Sequence, residues 1–279
     1  MLSIEMPQAE TARRDRCSIR ERALCIVAHL ATEIELRPAS RTRIVDAGET
    51  ILAEHGDASV VGSVIAGVMR MTKSLPDGRQ QIVGLIYPGE FFGRPYSDTT
   101  EFAYEAATDL EICVIDRRTF ESVLTRHPDL EHELLLMVLD DLAFARERSL
   151  LLGCQTTLER VASYLLVMLE RRQQLLSRAV LEAHNNVALS AISRRDLASY
   201  LGTTIETISR HLHYLSRQGV IRIINPSHFE VLDRGALLAI SGLAEDDLRL
   251  FGGAHREIVR SGGRPVLTIV GGAGLKKRA

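Results

Sequence analysis

The chain has 279 residues, of which 46% are hydrophobic and 25% charged, the balance of a globular protein, so wholesale disorder and fibrous repeats are excluded. That length outgrows a single ordinary core, and two domains are expected. A formal net charge of −2 excludes a uniformly basic nucleic-acid coat but permits a local basic face. The longest uninterrupted apolar runs, residues 23–28 and 134–139, fall far short of the ~18 residues of a membrane span, so no membrane partner is expected. Residues 23–31 could pass for a signal core. The acids Glu5, Glu10, Asp15 and Glu21 before it are foreign to a positively charged leader, and the expected location is the cytoplasm. Four cysteines, Cys17, Cys25, Cys113 and Cys154, are too few and too scattered for a secreted disulfide scaffold, and read as thiols or ligands.

In chain order, residues 41–116 read as short strands, with alternation at 60–65, 68–71, 82–87 and 110–115. Gly67, Gly78 and Gly89 recur every eleven residues, and Asp77-Gly78 is a hairpin-type pair. Turn residues so regularly spaced predict a small antiparallel roll or jelly-roll whose strand pairs are closed at positive φ, with any all-β sandwich as the alternative. After Pro128 the period changes. Leu135, Val138, Leu142, Ala145, Ser149 and Leu152 recur at alternating steps of three and four, the seam of a helix that pairs with another helix. Leu130, Leu134 and Met137 mark a second face, to pack on the β-domain. The seam then faces the same helix of a second subunit, or else the helix is buried in a monomer core. Residues 156–173 predict a further amphipathic helix, with Leu158, Val161, Ala162, Leu165 and Leu169 on one face. Residues 177–192 suggest a loop and a short strand.

Residues 193–222 are the most informative. Ser193 is an N-cap with Asp196 in a capping-box-like position, Leu197, Ala198 and Leu201 face inward, and Gly202 stops the helix. Thr203 or Thr204 caps a second helix running to about Gln218, with Ile205, Ile208, Leu212 and Leu215 inside and Gly219 closing it. Two short helices joined by a glycine-bearing turn predict a helix-turn-helix, and strands near 220–224 and 229–232 predict a wing. Glu206, Ser209 and Arg210 lie at i, i+3 and i+4, on one face near the end that enters a major groove. Arginine can take guanine O6 and N7 together, glutamate can accept from a base amino group, and serine suits base edge or phosphate. The same spacing also permits a plain Glu206–Arg210 surface ion pair, worth only ~0.3–0.5 kcal/mol. Residues 193–222 carry five arginines against two acids, a patch of about +3, consistent with phosphate contact. Ser193, Arg195, Thr204, Thr207 and His211 complete the candidate DNA-binding set. Beyond Glu245, seven glycines between Gly252 and Gly274 and a basic end predict a flexible tail. No Walker loop, paired metal-type histidines or nucleophile elbow is present, and an enzyme is not expected.

The order of parts resembles the CRP/FNR family of bacterial transcription regulators over residues 17–240. Its most specific piece is Tyr200-Leu-Gly-Thr-Thr-Ile-Glu-Thr-Ile-Ser-Arg210, similar to the FNR branch. The resemblance implies an α+β chain: an N-terminal antiparallel β-roll of the cyclic-nucleotide-binding jelly-roll type, a long dimerisation helix and a C-terminal winged helix-turn-helix. The expected boundaries are a cysteine-containing segment at 1–27, the sensory roll at 28–127, the dimerisation helix at 128–153, the DNA-binding domain at 154–242 and the extension at 243–279. It further implies a homodimer on double-stranded DNA, reading TTGAT half-sites of an inverted repeat through Glu206, Ser209 and Arg210, with RNA polymerase as a partner. Where cyclic-AMP-binding members carry Gly-Glu and Arg-Ser, this chain has Gly93-Arg94 and Thr100-Glu101, and an acid beside the cyclic phosphate would repel it, so no cyclic nucleotide is expected. The FNR branch senses oxygen through a [4Fe-4S] cluster. Cys17 and Cys25 resemble the last two of its N-terminal cysteines and Cys113 its roll ligand, but Arg14 stands at the place of the first. Asp15, water, a small thiol or Cys154 could fill that corner. The alternative is an FNR-like regulator without a cluster, using thiol redox chemistry or controlled by its abundance. Each cysteine also reads as a buried small hydrophobe, Cys154 above all.

Overall fold

The alternating strands and the glycine spacing build an antiparallel roll in the computed structural model, which describes residues 36–175, 187–189, 192–245, 248, 256–261 and 264–269. Two compact units divide the chain: Met1–Lys73 with Leu85–Leu134, and Ser74–Gly84 with Leu135–Ala279. After a short helix, α1 (Leu36–Ala39), come β1 (Arg41–Val45), β2 (Thr50–Leu52), β3 (Val60–Ala66), β4 (Met69–Ser74), β5 (Gln80–Ile86), β6 (Phe91–Phe92), β7 (Ala103–Ala106) and β8 (Leu110–Asp116). They form two four-stranded sheets in the orders β1-β8-β3-β6 and β2-β7-β4-β5. Inward positions of both sheets, among them Val45, Val64, Met69, Phe92, Tyr104, Leu110 and Ile112, make one core, with the Phe92 and Tyr104 rings 6.3 Å apart. On β8, Leu110 and Ile112 turn inward in alternation, whereas residues 61–64 of β3 are all buried, so that central strand is covered on both faces.

The three evenly spaced glycines all have positive φ, between +85° and +96°. Gly67 is the most constrained: a Cβ there would stand 2.1 Å from the Asp109 carbonyl oxygen. Next comes α2 (Arg117–Arg126), begun by Asp116, whose carboxylate accepts from the Thr119 amide, and anchored by buried Phe120, Val123 and Leu124.

Pro128 opens α3 (Pro128–Cys154), where its missing amide costs nothing. Leu130 and Leu134, the first members of the second face, are buried in the first unit. The seam is bare in the single chain: Leu135 is 52% exposed, Val138 51% and Leu142 43%, with Ala145 and Ser149 open and Leu152 half-buried. A row of this kind is the sort of apolar surface that marks an interaction site. Cys154 is exposed at the end of α3, which corrects the expectation of a buried hydrophobe; the helix stops there, past the last seam position.

In the second unit α4 (Thr157–Leu175) opens with a reciprocal box, the Thr156 amide donating to Glu159 at 2.6 Å and the Glu159 amide to the Thr156 hydroxyl at 3.4 Å. From Val161 to Leu169 it is buried on every side, broader than the one-faced helix expected. Its Tyr164 ring lies 6.1 Å from the Tyr200 ring of α5 (Arg194–Tyr200), and it packs more broadly against α6 (Ile205–Arg217), α7 (Arg234–Ser241) and β9 (Val187–Leu189). The wing is an antiparallel sheet in the order β10-β11-β9, with β10 at Ile221–Asn225 and β11 at His228–Val231. The extension expected to be flexible contains an antiparallel ribbon, β12 (Arg256–Ser261) with β13 (Arg264–Ile269). Ile258 lies opposite Leu267 and Val259 opposite Val266, and such runs favour pairing despite the glycine-rich setting. Among the described residues no helix is long and apolar enough to cross a membrane.

Replacing Gly67 by alanine adds both positive-φ strain and a backbone clash, and is expected to destabilise by about 2–4 kcal/mol. At Gly78 nothing lies within 4 Å, so alanine there is expected to cost only about 1–2 kcal/mol. Urea midpoints at unchanged slope check the order.

Candidate DNA-reading site

The reading helix α6 is divided along its length. Ile208, Leu212 and Leu215 are fully buried, while Glu206, Arg210, His213 and Arg217 are exposed. Thr204 caps it, its hydroxyl accepting from the Thr207 amide at 3.3 Å. On α5 the Ser193 hydroxyl accepts from the Asp196 amide at 3.1 Å and donates to the Asp196 carboxylate at 2.8 Å, so both ends of the two-helix frame are capped. Between the helices the chain turns through Gly202, at φ +63°.

Glu206, Ser209 and Arg210 share the outer face of α6 as their spacing demands. Glu206 and Arg210 make no ion pair with each other. The Arg210 guanidinium donates to the Thr207 hydroxyl at 3.3 Å. The Glu206 carboxyl is held below its ordinary range by its own backbone amide and the Thr204 hydroxyl, which keeps it an acceptor. Half-buried Ser209 receives a hydrogen bond at 3.2 Å from Arg194, which sequence reasoning passed over because nothing in Arg194-Arg195 distinguishes the turned-in arginine from the exposed one. Arg195, Thr204 and Glu206 border an open cleft of about 450 Å³ that Gln80 and Gln81 also line. Arg222 pairs across the wing with Glu230 at 2.7 Å, which lowers the effective charge of the basic patch.

His211 departs from its expected role. It is half-buried, and its Nε2 lies 2.9 Å from the Thr157 hydroxyl of α4, so the ring is engaged with the protein body rather than turned out with Arg210. Burial first, and then the Arg210 charge, push its pKa below the ordinary value.

In the roll, the residues that depart from the cyclic-nucleotide pattern meet each other: Arg94 bonds Glu101 at 3.0 Å. Arg94 holds the Glu101 carboxyl below its usual range, so an anionic oxygen stands there. The loop between them is tied down by Arg117, which is buried and bonds both Asp98 and Glu121, and by backbone bonds from the Ala58 amide to the Asp98 carbonyl and from the Thr100 amide to the Gly56 carbonyl.

Cys113 is half-buried on β8, in register with Thr42 of β1 and Ser63 of β3. Cys17 and Cys25 lie outside the described residues. Among the described residues no three histidine, cysteine or acidic side chains are placed to hold a metal ion.

A histidine with a lowered folded-state pKa takes up its proton later than the unfolded chain does, so its contribution is fully present above the unfolded value near 6.5 and is lost as pH falls from there through the lower folded-state value. The melting temperature of the wild type should therefore fall more steeply from pH 7.5 to 5.5 than that of His211→Gln; parallel slopes would contradict this.

Residues 42–127 match the cyclic nucleotide-binding domain family and residues 159–240 the Crp-like helix-turn-helix domain family. The transcriptional activator protein FnrL of Cereibacter sphaeroides is 36% identical over 227 residues, covering 81% of this chain and 90% of that protein. The nitrogen fixation regulation protein FixK of Bradyrhizobium diazoefficiens is 36% identical over 209 residues, 75% of this chain and 86% of that one. The solved structure of FixK2 from Bradyrhizobium japonicum superposes with a TM-score of 0.66 at 30% identity, over 74% of this chain and 98% of its own. With the β-roll, the long helix and the helix-turn-helix in this order, and with relatives so similar over most of their length, the chain belongs to the CRP/FNR family of DNA-binding transcription regulators, in its FNR-like branch.

Proposed function

We propose that the protein is a homodimeric, cytoplasmic regulator that reads TTGAT-type inverted repeats through Glu206, Ser209 and Arg210, acts with RNA polymerase and responds to oxygen or redox state. The observation that carries the DNA reading is the divided α6: its acid and its arginine stand exposed and unpaired with each other, on a helix held by three buried aliphatic side chains. Arg195 and Ser193 at the start of α5, with Thr204 and Thr207, supply phosphate contacts; His211 holds α6 to α4. The bare seam of α3 supports dimerisation, since one chain leaves Leu135, Val138 and Leu142 in water. The Arg94–Glu101 pair supports a roll that does not take cyclic nucleotide.

For sensing, Cys17, Cys25 and Cys113 are the proposed ligands of a [4Fe-4S] cluster. Thiolates are the donors such clusters take, and the cluster would supply oxygen-sensitive chemistry. The chain's own part is to supply three thiolates, with the fourth corner filled by Asp15, water, a small thiol or Cys154. Arg14, at the place of a cysteine in the resembling pattern, favours a second reading: a cluster-free regulator using thiol redox chemistry or controlled by abundance.

Arg210→Ala is expected to cost about 1–3 kcal/mol on the repeat and to relax preference there, whereas Arg195→Ala should weaken specific and random DNA alike. Equal loss on both DNAs for Arg210→Ala would overturn the assignment. Leu142→Asp brings two like charges together across the two-fold axis and should yield monomers by sedimentation. Anaerobic protein should contain iron and sulfide with a visible absorption band that Cys113→Ser abolishes and Cys154→Ala leaves; a colourless anaerobic protein would select the cluster-free reading.

A further inference from the structure

Arg148 lies on α3 but off the seam, between Ala145 and Leu152. Its guanidinium donates to the carbonyl oxygens of Val83 and Ile82, both at 2.6 Å, and of Tyr200 at 2.8 Å. Its plane also stacks over the Tyr200 ring at 4.3 Å. Burial pushes its pKa below the ordinary value, and its partners are peptide dipoles rather than a carboxylate.

The three elements it joins are the long helix, the β4–β5 hairpin tip Ser74–Gly84, and the C-terminal end of α5, the first helix of the helix-turn-helix. The hairpin tip, residues 135–154 of the long helix and α5 all belong to the second unit. The hairpin makes its own contacts with α5: the Ile82 amide donates to the Ser199 hydroxyl at 3.2 Å, and the Gln81 side-chain amide donates to the Ser199 carbonyl. Arg160 of α4 donates to the Leu201 carbonyl at 2.9 Å. The carbonyls of residues 199, 200 and 201 are thus each met by a side chain from a different element. These are the groups a helix end leaves without intrahelical partners, and cations are favoured where the helix dipole is negative.

We propose that Arg148 is a positioning residue for DNA reading: with Gln81 it clamps the hairpin and the end of α5 to the long helix and so fixes the orientation in which α6 meets DNA. The direction of the effect follows from exposure. Arg195, Thr204, Glu206 and Arg210 stay open to solvent while the clamp is closed, so the clamp pre-orders a competent reading face and spares the ordering cost at binding. Two reading helices on one dimer must also match a fixed half-site spacing, which a loosely held pair does not. The hairpin is continuous with β4, whose residues Met69 to Thr72 pair with β7 of the roll.

This inference rests on the DNA reading proposed above, and one experiment separates the two. Binding to a TTGAT-type inverted repeat and to random DNA is measured for full-length wild type, Arg148→Ala, Arg148→Lys, Gln81→Ala and the double variant, alongside hydrogen exchange at the Ile82 amide. The expected results are a loss of about ten-fold or more on the repeat for either single alanine variant, with random-DNA binding unchanged, and faster Ile82 exchange. The double variant should be no worse than the worse single one, because both open the same clamp. Lysine should not restore binding, since an ammonium neither stacks on Tyr200 nor bridges three carbonyls. Gln81→Ala removes one half-buried amide and keeps the test valid if Arg148→Ala unfolds. Unchanged or tighter binding of the repeat by Gln81→Ala, with Ile82 exchange accelerated, overturns the clamp. A wild type without preference for the repeat overturns the DNA reading and this proposal with it.

Discussion

The division of α6 into a buried and an exposed stripe is the constraint on which the second unit depends. Ile208, Leu212 and Leu215 are fully buried, and each contributes about 1.5–3 kcal/mol by leaving water. An exposed ion pair on the outer face contributes a fraction of that. Packing therefore holds the helix, and the outer side chains make only local hydrogen bonds to neighbours on the two-helix frame. At the starts of α5 and α6 the Ser193 and Thr204 hydroxyls cap backbone amides, and the Glu206 carboxylate also accepts from its own backbone amide.

The roll carries a complementary lesson about charge. Arg94 and Glu101 are both exposed, so their pairing adds little stability. Its importance is chemical: the carboxylate stays ionised and presents an anionic oxygen beside Arg94. The intervening loop is tied to buried Arg117, in a domain that matches the cyclic nucleotide-binding family.

Features set by local rules were legible in the sequence. Gly67, Gly78 and Gly89 announced turns because only a residue without Cβ adopts their φ cheaply. The seam of α3 and the two-helix frame followed from periodicity and caps. Properties set by tertiary contact were not legible. Nothing local tells that His211 turns to Thr157 while Arg210 beside it faces out, or that Arg194 reaches Ser209. No local pattern marks Arg148, because its acceptors lie 52 and 66 residues away along the chain. The ribbon of β12 and β13 was hidden by glycines that raised the apparent flexibility of the whole segment.

On the proposed reading, two copies joined along α3 present two firmly held reading helices to one inverted repeat. The most direct test varies the distance between half-sites and measures affinity by titration at fixed salt. Inserting about 5 base pairs, half a helical turn, turns the second half-site to the opposite face of the duplex. The account predicts that affinity then falls to the level of random DNA. Equal affinity for the original repeat, the lengthened repeat and a single half-site would contradict it.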